Sequence, residues 1–182
     1  TACTTINKVC GSAMKAVMIA CNALRAGQSS AIVAGGMESM SRAPYLIPQG
    51  RQGYRFGHGQ LLDHMQYDGL QDAYQGVAMG SFAESCAKKY KFSREDQDAF
   101  AIASYERSAA AWSTGKFDDE VIPVEIPQRR GEPIMLREDE EYKNVKLEKV
   151  AQLRPAFSKE GTVTAANAST LNDGAAALVI MS

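Results

Sequence analysis

The chain has 182 residues, enough for one ordinary domain with a real core. Lys and Arg together number 20 against 21 Asp and Glu, a net charge of -1, so no basic excess points to nucleic acid. No continuous apolar run is long enough to span a membrane.

In chain order, the first expected element is a short β-strand stub, followed by a helix opened by Cys10 in the run Ile6-Asn7-Lys8-Val9-Cys10-Gly11-Ser12-Ala13-Met14-Lys15-Ala16. A thiol at a helix N-terminus faces unpaired backbone N–H groups and the positive end of the macrodipole. Both favour the thiolate, which is the nucleophilic form. Gly11 and Ser12 leave little bulk around the sulfur, so a substrate carbonyl has room to approach. The alternative is that Cys10 is a small buried hydrophobe, the commoner fate of cysteine. The helix runs through Met14, Val17, Met18, Cys21 and Leu24, and Gly27 is the expected stop. The glycine-flanked apolar run Ala31–Ala34 then fits a buried strand of a parallel sheet.

A long excursion follows. Residues 42–63 carry Pro44, Pro48, Gly50, Gly53, Gly57 and Gly59 among Tyr45, Leu46, Ile47, Tyr54 and Phe56, which predicts a structured loop rather than a linker. Met79, Phe82, Ala83, Cys86, Ala87 and Tyr90 share one helical face, making Cys86 a packing residue and leaving Glu84, Lys88 and Lys89 to solvent. Ser93 is a good N-cap for the next helix, with a stripe of Ala99, Ile102, Ala103 and Ala110, and Gly115 as its stop. Trp112 near its end is read as packing. Val121–Pro127 reads as an edge strand because of its prolines, and 129–149 as a charged surface. Leu147–Leu153 forms a short helix before Pro155, and Ala175–Met181 is a second buried strand after the turn-like Asn172-Asp173-Gly174.

The four cysteines (Cys3, Cys10, Cys21, Cys86) lack tight pairing, which points to reduced thiols and an intracellular, cytoplasmic protein. With His58 and His64 they offer no CxxC or HxxxH spacing, so no metal site is expected.

Three stretches carry more than their elements. They are the run around Cys10-Gly11-Ser12, Gly35-Gly36-Met37-Glu38-Ser39-Met40-Ser41, and Gly161-Thr162-Val163-Thr164-Ala165-Ala166-Asn167-Ala168-Ser169 continuing to Asn172-Asp173-Gly174. Together with Asp68-Gly69-Leu70, Met79-Gly80 and Leu153-Arg154-Pro155-Ala156-Phe157, in this order, they resemble the thiolases, acyl-CoA acetyltransferases, over essentially the whole chain. The resemblance implies an α/β architecture, part of a layered βαβαβαββ fold with an inserted α/β loop domain. Residues 1–41 would belong to the N-terminal thiolase domain, 42–164 to the inserted CoA-binding and oligomerisation loop domain, and 165–182 to the return strand. Because the thiolase fold is duplicated, the chain is expected to be an internal segment of a protein about twice its length, with any targeting signal, and hence the organelle, left open.

The same resemblance implies an acyl-cysteine at Cys10, used for thiolytic cleavage or Claisen condensation of 3-ketoacyl-CoA. It assigns pocket and pantetheine contacts to Leu70, Met79, Phe157, Ala165 and Ser169. No resident cofactor is expected, with coenzyme A and acyl-CoA as substrates, and the assembly is expected to be a homodimer or homotetramer using the 42–63 loop. The family's activating histidine and second cysteine lie downstream; His58 and His64 match neither. Lys143, Lys146 and Lys149 are either phosphate contacts or ordinary surface lysines. Ala13 and Ala166 stand where many thiolases have glycine, and Ala78 where short-chain members often have histidine, which leaves chain-length preference open. Two other readings remain at this stage, a ketoacyl synthase relative and a non-catalytic acyl-CoA or lipid-binding protein of the same fold.

Overall fold

A computed structural model describes residues 2–182. Their backbone gathers into two units: the chain up to Ala78 together with Thr170–Ser182, and Met79–Ser169.

In the first unit, helix α1 (Ser12–Arg25) leads into strand β1 (Ala31–Ser39). Gly27 ends the helix as expected: it takes φ +69°, and the Gln28 amide donates back to the Ala23 carbonyl at 3.0 Å. Strand β6 (Asp173–Met181) pairs with β1 along its whole length, Ala31 opposite Met181 and Ser39 opposite Asp173. This pairing is antiparallel, whereas the sequence suggested a parallel neighbour. An apolar run reports burial and is silent about strand direction, which here is set by the return of the chain from Thr170. The strand stub expected before Cys10 is absent from 2–9, which hold one isolated bridge between Lys8 and Cys10.

α1 packs on one face of this ladder, burying Ala20 and Ala34. Gly36 makes the approach possible, since a Cβ there would stand 2.9 Å from the Ala13 methyl. On the opposite face, Val33 and Met37 of β1 and Val179 and Met181 of β6 are exposed. The expected burial of β6 is thus not seen. Its sequence is apolar on both faces, and Ile180 is its one half-buried residue; Leu178, opposite the buried Ala34, is 56% exposed.

The 42–63 segment is closed by a two-residue antiparallel ladder between β2 (Tyr45–Leu46) and β3 (Leu62–Asp63). Tyr54 folds over Gly59, where a Cβ would fall 2.5 Å from the ring, while Phe56 projects fully into solvent. A π-helical turn, Met65–Leu70, follows.

The second unit starts with α2 (Met79–Tyr90) and α3 (Arg94–Ser113). Ser93 caps α3 through a reciprocal capping box with Asp96, and Gly115 follows its end at φ +70°. Trp112 packs on Phe117 at 4.6 Å between ring centroids. Cys86, expected inside, is exposed, and Ala87 is the buried residue of α2. β4 (Val124–Ile126), inside the expected edge strand, pairs with β5 (Ile134–Leu136), which lies in the stretch that the charge pattern presented as surface. α4 (Glu141–Asn144) and a 3-10 helix, Leu147–Gln152, complete the unit, whose interior holds Val150, Val163, Thr164 and Asp98.

Candidate active site

Cys10 lies two residues before α1 rather than in its first turn, because the helix begins at Ser12 with Gly11 as N-cap. Val9 explains the delay. Its φ is +49°, a left-handed conformation that a β-branched residue adopts only under constraint. The constraint is visible. The Asn7 side-chain oxygen accepts from the Val9 amide at 2.9 Å. The Ser12 hydroxyl accepts from the Lys8 amide at 2.8 Å and donates to the Val9 carbonyl at 2.7 Å. Amides of Gly11 and Ser12 close the turn onto the carbonyls of Lys8 and Val9. These bonds hold the backbone on both sides of Cys10, and the residue itself is exposed. No side chain caps α1, so its positive end is not neutralised by an acidic neighbour in its first turn.

Leu70, the last residue of the π-helical turn, is half-buried and belongs to the same unit as Cys10. Met79, Phe157, Ala165 and Ser169 belong to the other. There Met79 opens α2 and is half exposed, and the next residue, Gly80, lies against the ring of Phe157. One turn on, the Glu84 carboxylate accepts from the Thr162 amide at 3.0 and 2.9 Å, the Val163 amide at 2.9 Å and the Thr162 hydroxyl at 3.2 Å. Burial alone raises this carboxyl, but these hydrogen bonds outweigh it and hold it below its ordinary value of 4.5. The expectation that Glu84 faces solvent is therefore corrected: it grips the loop that carries Phe157.

A second polar cluster holds the stretch carrying Ala165 and Ser169. Arg94 donates to Asp98 at 2.7 Å and to the carbonyls of Val150 and Leu153 at 2.9 and 3.0 Å. Asp98 also accepts from the Asn167 amide group at 2.9 Å, and that group donates to the Thr162 carbonyl at 3.0 Å. The Asn167 oxygen accepts from the Thr164 amide at 2.7 Å. Ala165 and Ser169 flank this knot and are exposed. None of Asn7, Ser12, Glu84, Asp98 or Asn167 stood out in the sequence as a positioning residue. The one readable signal was Arg94 four residues before Asp98, a spacing that brings side chains together on a helix.

Lys143 pairs with Glu138, while Lys146 and Lys149 stand in solvent. His64 pairs with Asp68 at 3.2 Å on an exposed turn. Among the described residues, no three of His, Cys, Asp or Glu gather as a metal site. No helix among them is long and apolar enough to cross a membrane.

The model of the thiolase N-terminal domain matches residues 1–182. The chain is 53% identical to an acetyl-CoA acetyltransferase from Cupriavidus necator over 179 residues, covering 98% of this chain and 46% of that protein. It is 51% identical to an acetyl-CoA acetyltransferase from Schizosaccharomyces pombe, covering 99% and 46%. Among solved structures it superposes on a thiolase from Ascaris suum in complex with coenzyme A with TM-score 0.87 and 49% identity, covering 99% and 45%. An acetyl-CoA acetyltransferase from Syntrophomonas wolfei gives TM-score 0.89 at 42% identity, covering 98% and 45%. The chain thus spans about half the length of the relatives it matches. With its α/β architecture and the turn that presents Cys10, it belongs to the thiolase family.

Proposed function

We propose that the whole protein containing this chain is an acetyl-CoA C-acyltransferase in which Cys10 carries the acyl group. The observation that carries the reading is the constrained, exposed thiol before α1, in a chain half identical to acetyl-CoA acetyltransferases. In the condensing direction the Cys10 sulfur attacks the thioester carbonyl of acyl-CoA, and the carbonyl electrons collect on oxygen. Backbone N–H groups at the start of α1 are suited to stabilise that oxyanion. The oxyanion collapses, the bond to the coenzyme A sulfur breaks, and the departing thiolate takes a proton. The α-carbon of acetyl-CoA, once deprotonated, then attacks the acyl carbon and releases the Cys10 thiolate. Thiolytic cleavage is the reverse.

Leu70, Met79 and Phe157 supply apolar surface for the acyl-pantetheine arm, and Ser169 a hydroxyl and Ala165 a backbone for its amides. Residues 42–164 serve as the inserted loop domain, with 42–63 bridging copies in a dimer or tetramer. Reduced exposed thiols suit an intracellular enzyme. No residue here is suited to deprotonate the acetyl carbon, so these 182 residues alone have no turnover.

The test grafts the chain into the Cupriavidus necator relative in place of the stretch it matches, and follows cleavage of acetoacetyl-CoA. Turnover by the grafted protein, its loss in Cys10→Ala, and radiolabelled acetyl recovered on the Cys10 peptide support the reading. Acetyl recovered on Cys86 instead, or full activity of Cys10→Ala, refutes it.

A further inference from the structure

Gly80 and Glu84 lie four residues apart, on one face of α2, and both address the loop 156–163. That loop is closed on itself by the Ala156 amide donating to the Val163 carbonyl at 2.8 Å. Glu84 fixes its far end through the amides of Thr162 and Val163. Gly80 faces its near end, where a Cβ would stand 2.3 Å from three atoms of the Phe157 ring. No real side chain tolerates that distance, so a methyl at Gly80 and the observed ring position exclude each other. The backbone is held four residues along by Glu84, whereas Phe157 is 42% exposed and has room to swing outward. The ring yields, not the helix.

We infer that Gly80 is a positioning residue that sets where the Phe157 ring stands, and through it the width of the apolar wall offered to an acyl-CoA. This rests on the proposed function for its substrate, though not for the ring itself. Met79 precedes Gly80 on the same turn and is half exposed, so the glycine lies between two of the expected wall residues. The missing side chain therefore acts as a specificity element: it lets the aromatic ring lie down on α2 instead of projecting into the space an acyl chain would use.

The experiment is a double-mutant cycle in the grafted full-length enzyme, with Gly80→Ala, Phe157→Ala and the pair. Gly80→Ala is expected to raise KM for acetoacetyl-CoA about tenfold with kcat within about twofold, the size of one misplaced apolar contact. In the Phe157→Ala background the same change is expected to do nothing further, because it acts through the ring. A second readout needs no activity: in the grafted full-length protein labelled with 13C-phenylalanine, Gly80→Ala should move the Phe157 ring signals, identified by their loss in Phe157→Leu. Unmoved ring signals, or effects on KM that add fully in the double variant, overturn the inference. If the unmodified enzyme turns over no acyl-CoA, the thiolase reading falls, and the ring signals still decide the role of Gly80.

Discussion

Asp98→Ala removes the one buried carboxylate of the second unit, and its cost follows from what it touches. Its side chain is 8% exposed and that of Arg94 19%. The carboxylate accepts from Arg94 with one oxygen and from Asn167 with the other. Deleting it leaves a largely buried guanidinium without its counter-charge and an amide group short of a partner. Breaking a buried pair in this one-sided way costs about 3–5 kcal/mol. Arg94 keeps the carbonyls of Val150 and Leu153 and some contact with water, so the lower end, about 3 kcal/mol, is expected. The chain has a single tryptophan, Trp112, packed on Phe117 just past α3, and its fluorescence reports on unfolding of this unit. With a urea dependence of about 1–2 kcal/mol/M, the midpoint should fall by about 1.5–3 M. Asp96→Ala, which loses only the capping box at the head of the same helix, should cost about 1 kcal/mol and provides the comparison. If Asp98→Ala shifts the midpoint no more than Asp96→Ala does, the buried cluster is not what holds this unit together.

Ser12→Ala should slow alkylation of Cys10 by iodoacetamide about three- to tenfold, the equivalent of one lost hydrogen bond, with Ser12→Thr restoring it; equal rates in all three would show that the turn holds without the hydroxyl. Gly36→Ala should destabilise the first unit by about 1–3 kcal/mol through its clash with Ala13, measured by thermal unfolding, and Ala13→Gly should recover most of the loss. Glu84 has its folded carboxyl held below 4.5, so its stabilisation is fully present above that value and is lost as pH falls through the lower folded value. Hydrogen exchange at the Thr162 and Val163 amides, followed through that window, should show this loss in the native chain and not in Glu84→Gln. Asp173 acts in the same direction below 3.8, since its carboxylate accepts from the Ser41 hydroxyl and amide at the junction of β1 and β6.

Features that depend on neighbouring residues were legible in the sequence. Ser93 with Asp96, Gly27 and Gly115 each mark a helix end by local chemistry, and each does so in the structure. The long motifs likewise identified the family, because their order along the chain is itself information. What was not legible depends on partners far along the chain. Glu84 looked like a surface residue from its own helix, since the loop it binds is 78 residues away. Strand β1 was legible as a strand, but not its direction, which β6 decides, nor the exposure of Val33 and Met37 on its open face. Of the β4–β5 hairpin, β4 was legible as an edge strand from its prolines, whereas β5 was hidden in a charged stretch, because a two-stranded, exposed ladder needs no alternation of apolar and polar residues.

Ala13 and Ala166, set against glycine by the resemblance read from the sequence, show how the same distinction works in energetic terms. Ala13 adds a methyl just after the Cys10 turn, yet that methyl meets Gly36, whose lack of a side chain leaves the space it fills. The departure is absorbed on the sheet side of α1, by a residue 23 positions further on. Ala166 is absorbed differently. Among the described residues other than glycine, only Val9 and Lys91 take positive φ, so the backbone at Ala166 demands no glycine. Its amide donates to the Thr164 hydroxyl at 3.3 Å, and its carbonyl accepts from the Tyr105 hydroxyl at 3.5 Å. Neither contact involves the methyl. Ala166→Gly should therefore weaken the second unit slightly, through the greater freedom of the unfolded chain, by about 0.4–1 kcal/mol. A gain in stability would mean that the methyl is strained, and that glycine at this position serves the backbone after all.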